Sequence, residues 1–314
     1  MENDKKICLR NRDMELMLYL SDYGIVSNEN VKLLYKSEYY YKNRLASLAK
    51  GGIVERQYGK VLLGTKGKRV LNETGILYRN INRSEHYKKR MERMSDIAIK
   101  FKDCGWYFEP SWRCNLNTYT KRGNRFIGIA SRRKKEYGEN EERFNKTAYL
   151  VYFLHKDITA RELKYIKKEL DRNKRHFKGY FAFTESEELL YHPKFEGIQY
   201  EEAFMVPYNK NIWETFKLIH DEKFMNERVY EIFGDKLVSL RARSYYDNYY
   251  IKDGDTYIYI YYMAFPNFDL LRYLNHMENA REKERKHAKV VCLELCKKYI
   301  KKYLDEKVEV VCVR

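Results

Sequence analysis

Apolar residues recur at helical spacing from the start of the chain. Between Arg12 and Tyr23, Met14, Leu16, Met17, Leu20 and Tyr23 fall near one face of a helix that Gly24 is placed to cap. Ser27 opens a second, short helix with Glu29 and Asn30 in its first turn and Val31, Leu33, Leu34 and Tyr35 as apolar positions. Ser37 is the N-cap candidate for a third, which runs to Lys50 and stops at Gly51 and Gly52. Stepping 100° per residue from Tyr41, Leu45, Leu48 and Ala49 share its side, whereas Tyr39, Asn43, Ala46, Ser47 and Lys50 point away. That outward face holds no large aliphatic residue. The pattern then becomes that of strands: IVERQ and KVLLGT flank Tyr58-Gly59-Lys60, read as a three-residue hairpin loop with Gly at positive φ. Another helix begins at Lys66 and fades at Gly75.

Farther on, Tyr87, Met91, Met94, Ile97, Ala98 and Phe101 mark an amphipathic helix over 82–102 that also carries Arg83, Lys88, Lys89, Arg90 and Arg93. WYFEPSW and RFIGIA read as short strands, TAYLVYFLH as a buried strand, TARELKYIKKELDRN as a helix and GYFAFT as a strand. This strand-helix-strand spacing predicts a parallel pair in a mixed α/β domain. A similar succession closes the chain, with strands in DTYIYIYYMAF, AKVVCL and VEVVCV and helices between them. The sequence shows no internal repeat. The expected fold is α+β and multidomain: an N-terminal winged helix-turn-helix over 1–80, a basic connecting helix over 81–104, a mixed α/β domain over 105–235 and a C-terminal α/β subdomain, 236–314, packed on it. The strand order of the middle domain suits a degenerate restriction-endonuclease-like scaffold.

Charge says which partner such a fold meets. The 314 residues include 62 Lys plus Arg against 45 Asp plus Glu, a net charge of +17. Residues 1–135 hold 30 basic and 14 acidic side chains, net +16, leaving 32 and 31, net +1, for residues 136–314. Charge spread for solubility would not segregate this way, whereas a polyanion-binding module joined to a neutral body would. Tyrosine occurs 31 times, so position rather than number must decide what any one of them does. The six cysteines have neither CxxC nor paired Cys and His spacing, which points to reduced thiols in a cytoplasmic setting. No leader pattern opens the chain, and no run reaches the roughly 18 apolar residues of a membrane span. Phosphate-loop and dinucleotide motifs are absent, so no cofactor and no metal are expected.

A major groove about 12 Å wide accepts a helix whose exposed residues are short or polar, and a basic hairpin beside it meets the flanking phosphates. On this reading Asn43 and Ser47 reach base edges, with Tyr39 and Tyr40 at the start of the same helix. Lys42, Lys50, Arg56, Lys60 and Lys66 meet phosphates, while Tyr58 on the hairpin and Lys88 and Lys89 beyond it extend the surface. Arg44, about 60° from the core direction, is expected to brace the fold through a carboxylate.

The runs RDMELMLYLSDYGIVSNENVKLLY, YYYKNRLASLAKGGIVER and LLGTKGKRVL resemble the N-terminal winged helix of the replication-relaxation family of bacterial plasmids, phages and integrating elements. The likeness covers roughly the first 75 residues. It implies a double-stranded DNA-binding protein of a mobile element, acting in replication, mobilisation by conjugation or transcriptional control, with other replication or transfer proteins as further partners. A homodimer is expected because one winged helix reads only a few base pairs. The alternative is a relaxase or nuclease that nicks the bound DNA. A nuclease of the restriction type needs acidic residues on adjacent strands, and neither TAYLVYFLH nor RFIGIA supplies one; Glu162-Leu163-Lys164 has the letters but falls on a predicted helix. Tyr245, Tyr246, Tyr249 and Tyr250 stand near Arg241 and Arg243, without the His-x-His pair that a relaxase metal requires.

Overall fold

The computed structural model describes residues 8–81, 84–114, 125–192, 200, 202–239, 249–281, 286–306 and 308–313. The protein is mixed α+β and divides into two units, Met1–Asp103 and Cys104–Arg314.

In the first unit, helix α1 (Asn11–Tyr23) ends at Gly24, whose φ of +71° lets its N–H donate to the Leu20 carbonyl at 2.8 Å. Strand β1 (Ile25–Ser27) leads into α2 (Asn28–Tyr35), and the Ser27 hydroxyl accepts the Asn30 N–H at 3.2 Å. α3 spans Tyr40–Lys50 with Tyr39 at its N-cap, two residues later than an N-cap at Ser37 predicts. Lys36 sits in the left-handed region at φ +50° and leaves 37–39 as a turn, from which Ser37 Oγ still accepts the Tyr40 N–H at 3.1 Å. Strands β2 (Val54–Gln57) and β3 (Lys60–Leu63) follow, then α4 (Thr65–Glu73) and the long α5 (Glu85–Asp103). The three strands form one antiparallel sheet in the order β1-β3-β2.

Two expectations change here. Gln57 pairs directly with Lys60, so the hairpin loop is Tyr58-Gly59 alone. Both residues have positive φ, +45° and +77°, as a type I′ turn demands. The helix expected to connect the domains instead packs within the first unit: Ile99 joins Leu16, Leu20, Val31 and Leu48 in a core that helices α1, α2 and α3 surround. The boundary expected at residue 80 therefore lies inside the unit, because one face of α5 is apolar and finds its partners in the preceding helices.

The second unit contains two five-stranded sheets. The first has the order β4 (Tyr107–Pro110), β5 (Gly128–Ser131), β6 (Ala148–Leu154), β7 (Gly179–Thr184) and β8 (Glu202–Pro207). Its first three strands run antiparallel and its last three parallel, with α7 (Ala160–Asn173) crossing from β6 to β7 after the short α6 (Glu141–Asn145). After α8 (Ile212–Leu218) and α9 (Phe224–Phe233) comes the second sheet: β9 (Leu237–Ser239), β10 (Tyr249–Asp253), β11 (Thr256–Met263), β12 (Lys286–Leu293) and β13 (Glu309–Val313). The order and directions are the same, and α10 (Phe268–Arg281) makes the crossover that α7 makes in the first sheet; α11 (Lys297–Lys301) precedes β13. The architecture is repeated although the sequence is not. The two sheets share an interior: Phe265, wholly buried just after β11, lies with its ring 4.8 Å from that of Phe216 and 5.7 Å from that of Phe204.

Candidate nucleic-acid interface

α3 has two unlike sides. Leu45 and Leu48 are buried, while Lys42, Asn43, Ala46, Ser47 and Lys50 are exposed together with Tyr39 at the N-cap, itself 79% exposed. The two tyrosines expected on this surface part company. Tyr40 is drawn inward, its ring 6.0 Å from that of Tyr35 and beneath the Arg10 guanidinium, which donates to its hydroxyl. Tyr40 is therefore a packing residue on its buried side.

Arg44 braces the fold through Asp13, 31 residues earlier. Its Nε lies 3.0 and 3.1 Å from the two carboxylate oxygens of a side chain with no exposed surface, and the Tyr35 hydroxyl and Arg10 N–H donate to the same carboxylate. Burial by itself raises the Asp13 pKa, but the hydrogen bonds and charge of Arg44, with those of Tyr35 and Arg10, hold it below the ordinary carboxylate value. The pair ties α1, α2 and α3 together, which fixes the angle at which α3 shows its polar side.

The β2-β3 ribbon carries exposed Arg56 and Gln57, and Tyr58 at its tip is fully exposed. Lys60, expected to face phosphate, instead makes a 2.7 Å ion pair with Glu92 on α5. That contact ties the ribbon, next to its tip, to α5. Lys66 is exposed at the start of α4 and lies beside the end of α3, because α4 docks unusually closely there. The Lys66 N–H donates to the Gly52 carbonyl at 3.0 Å, and a Cβ on Gly67 would stand 2.1 Å from the Ile53 carbonyl oxygen. Lys88 is half-buried and 3.8 Å from Glu85, and Lys89 is exposed. Sequence reasoning did not identify Asp13, Glu92 or the two glycines Gly64 and Gly67 as the groups that position the site. For the glycines the signal was present in the run GTKG, where small residues bracket a helix start.

In the second unit the basic run beginning at Arg132 is partly absorbed by the fold. The Arg132 guanidinium sits 5.1 Å from the Trp106 ring and bonds the Tyr149 hydroxyl and Glu222, both at 2.9 Å. Lys178 pairs with Glu202 at 2.8 Å beside it. Arg132, Lys178, Glu202 and Glu222 line a cleft of about 470 Å³ and pair with one another there. Glu162 is on α7, where it closes a capping box with Thr159, so its spacing from Lys164 is a helix feature. Tyr249 and Tyr250 are on β10, the first bonded to Asn226 at 3.3 Å and the second against the Tyr257 ring; Tyr245, Tyr246, Arg241 and Arg243 lie outside the described residues. Among the described residues no group of three or more His, Cys, Asp or Glu is placed to hold a metal ion, and no helix is long and apolar enough to cross a membrane.

No protein-family model, curated protein or solved structure matches the chain.

Proposed function

We propose that the first unit is a winged helix-turn-helix that binds duplex DNA, with α3 as the recognition helix and the β2-β3 ribbon as the wing. The order helix, strand, helix, helix, strand, strand and the sheet order β1-β3-β2 support this reading. The observation that carries it is the outward side of α3, polar, basic and free of large aliphatic residues, held rigidly by the buried Asp13–Arg44 pair. Asn43 and Ser47 are the base-reading residues, and Lys42, Lys50, Arg56 and Lys66 supply phosphate contacts. Lys60 reaches phosphate only by leaving Glu92.

On the strength of its resemblance to the replication-relaxation family, we place the protein in the cytoplasm on a mobile genetic element, where it binds an origin-like or operator sequence as a dimer. For the first sheet of the second unit we keep the reading of a degenerate restriction-endonuclease-like scaffold, since its adjacent strands β5 and β6 have neither Asp nor Glu. The test is selection of sites from a pool of random duplexes by the full chain. A recovered motif that Asn43→Ala blurs at one position, with a loss of about 1–3 kcal/mol there, is the expected result. Failure to enrich any sequence, together with binding insensitive to salt, rejects the reading.

A further inference from the structure

The body is nearly neutral only on average. Residues 160–175 contain seven basic and three acidic side chains. Removing them from the 32 and 31 of residues 136–314 leaves 25 and 28, a net charge of −3. α7 and the turn after it thus carry a net charge of +4 in a region that is otherwise slightly acidic; a second basic run, 286–302, holds six basic and one acidic side chain.

The helix also disposes of its own acids. Glu162 closes the N-terminal capping box. Glu169 is buried, accepting the N–H groups of Arg125 and Phe126 at 2.9 and 3.2 Å and the Tyr152 hydroxyl at 3.1 Å. Asp171 pairs with Lys174 at 2.9 Å. What remains outward is Arg161, Lys164, Tyr165, Lys168, Arg172 and Arg175, all exposed. At 100° per residue Arg161, Lys164, Tyr165, Lys168 and Arg172 fall within a sector of about 100°, in a stripe roughly 17 Å long, and Arg175 follows in the turn after the helix. Among the described residues none of these five cations has a carboxylate partner; Arg161 bonds the Tyr165 hydroxyl at 3.4 Å and lies 5.7 Å from its ring centre. Other exposed helices of the unit behave differently, since Lys217, Arg228 and Lys297 each pair with a glutamate three residues away.

We propose that the outward face of α7 is a second DNA-contact surface, gripping the phosphate backbone of a duplex without reading its sequence. The stripe is opposite in charge to a duplex, about 17 Å of which presents roughly ten phosphates. A membrane surface fits less well: the aliphatic side chains of α7, Leu163, Ile166 and Leu170, are all buried, and Tyr165 is the one large apolar side chain among the cations of the stripe. The inference rests on the DNA-binding reading of the first unit and extends the contact beyond it.

The test uses the full chain and its K164Q/K168Q/R172Q variant, with folding checked by circular dichroism. Affinity for a duplex of about 40 base pairs carrying the selected site is followed against salt. The expected result is a log–log slope smaller by about 2 to 3 in the variant, with unchanged sequence preference, while Asn43→Ala loses preference and keeps its slope. An unchanged slope in the folded variant overturns the α7 surface and leaves the first-unit reading standing. If the unaltered protein shows no salt-sensitive DNA binding, both fall. Attachment of the unaltered chain to phosphatidylserine vesicles, lost in a variant whose DNA slope is unchanged, would assign the stripe to membranes and also overturn the proposal.

Discussion

Single residues in this protein matter most where charge is buried. Asp13 has no exposed surface and depends on Arg44 for compensation, so Arg44→Met leaves an unpaired carboxylate inside the first unit. The expected cost is about 3 kcal/mol or more, read as a lower melting temperature. Folding lowers the Asp13 pKa, and the unfolded chain therefore takes up this proton first. The stabilisation is complete above the ordinary carboxylate value of 3.8 and is lost as pH falls through the lower folded value. Denaturant titrations of the unaltered protein should show this loss below about pH 4, and Arg44→Met should flatten it. Tyr58 shows the converse case of a residue placed against its own preference. A non-glycine side chain at φ +45° is strained, so Tyr58→Asn should raise stability on the order of 1 kcal/mol while removing the ring from the ribbon tip. If the ring contacts DNA, affinity falls as stability rises; equal affinity would make Tyr58 a bystander.

At the scale of elements, the first unit depends on close approach between α4 and the loop leaving α3. Gly67→Ala would push a methyl group against a backbone carbonyl that cannot swing aside, and we expect a loss of roughly 1–3 kcal/mol in chemical denaturation, with Lys66 displaced from the end of α3. Which elements form was legible in the sequence wherever a local pattern decides them. Gly24 ends α1, Ser27 caps α2, and the faces of α3 follow from the spacing of Leu45 and Leu48. What could not be read were contacts between positions far apart in the chain. Nothing near Lys60 announces Glu92, and nothing near Arg44 names Asp13 among the acidic residues. The ribbon loop is one residue shorter than its sequence suggests because Tyr is seldom found at positive φ, and the amphipathicity of α5 tells that the helix is covered, not by what. Whether Tyr40 packs or faces outward is not set by the helical spacing alone; its ring meets Tyr35 on α2 and Arg10 at the N-cap of α1.

In the molecule as a whole, the two matching sheets of the second unit are bound by aromatic packing. Phe265→Ala, which empties a position between Phe204 and Phe216, should cost about 3–5 kcal/mol, and calorimetry should show residues 104–314 melting as one cooperative step in the unaltered protein. Two separate steps from this region would mean that the sheets hold themselves together independently. A duplicated plan usually lets each copy drift or be exchanged on its own. Here one copy lends a ring to the other's centre, so neither could be swapped for a foreign counterpart unless the newcomer brought a plug of the same shape.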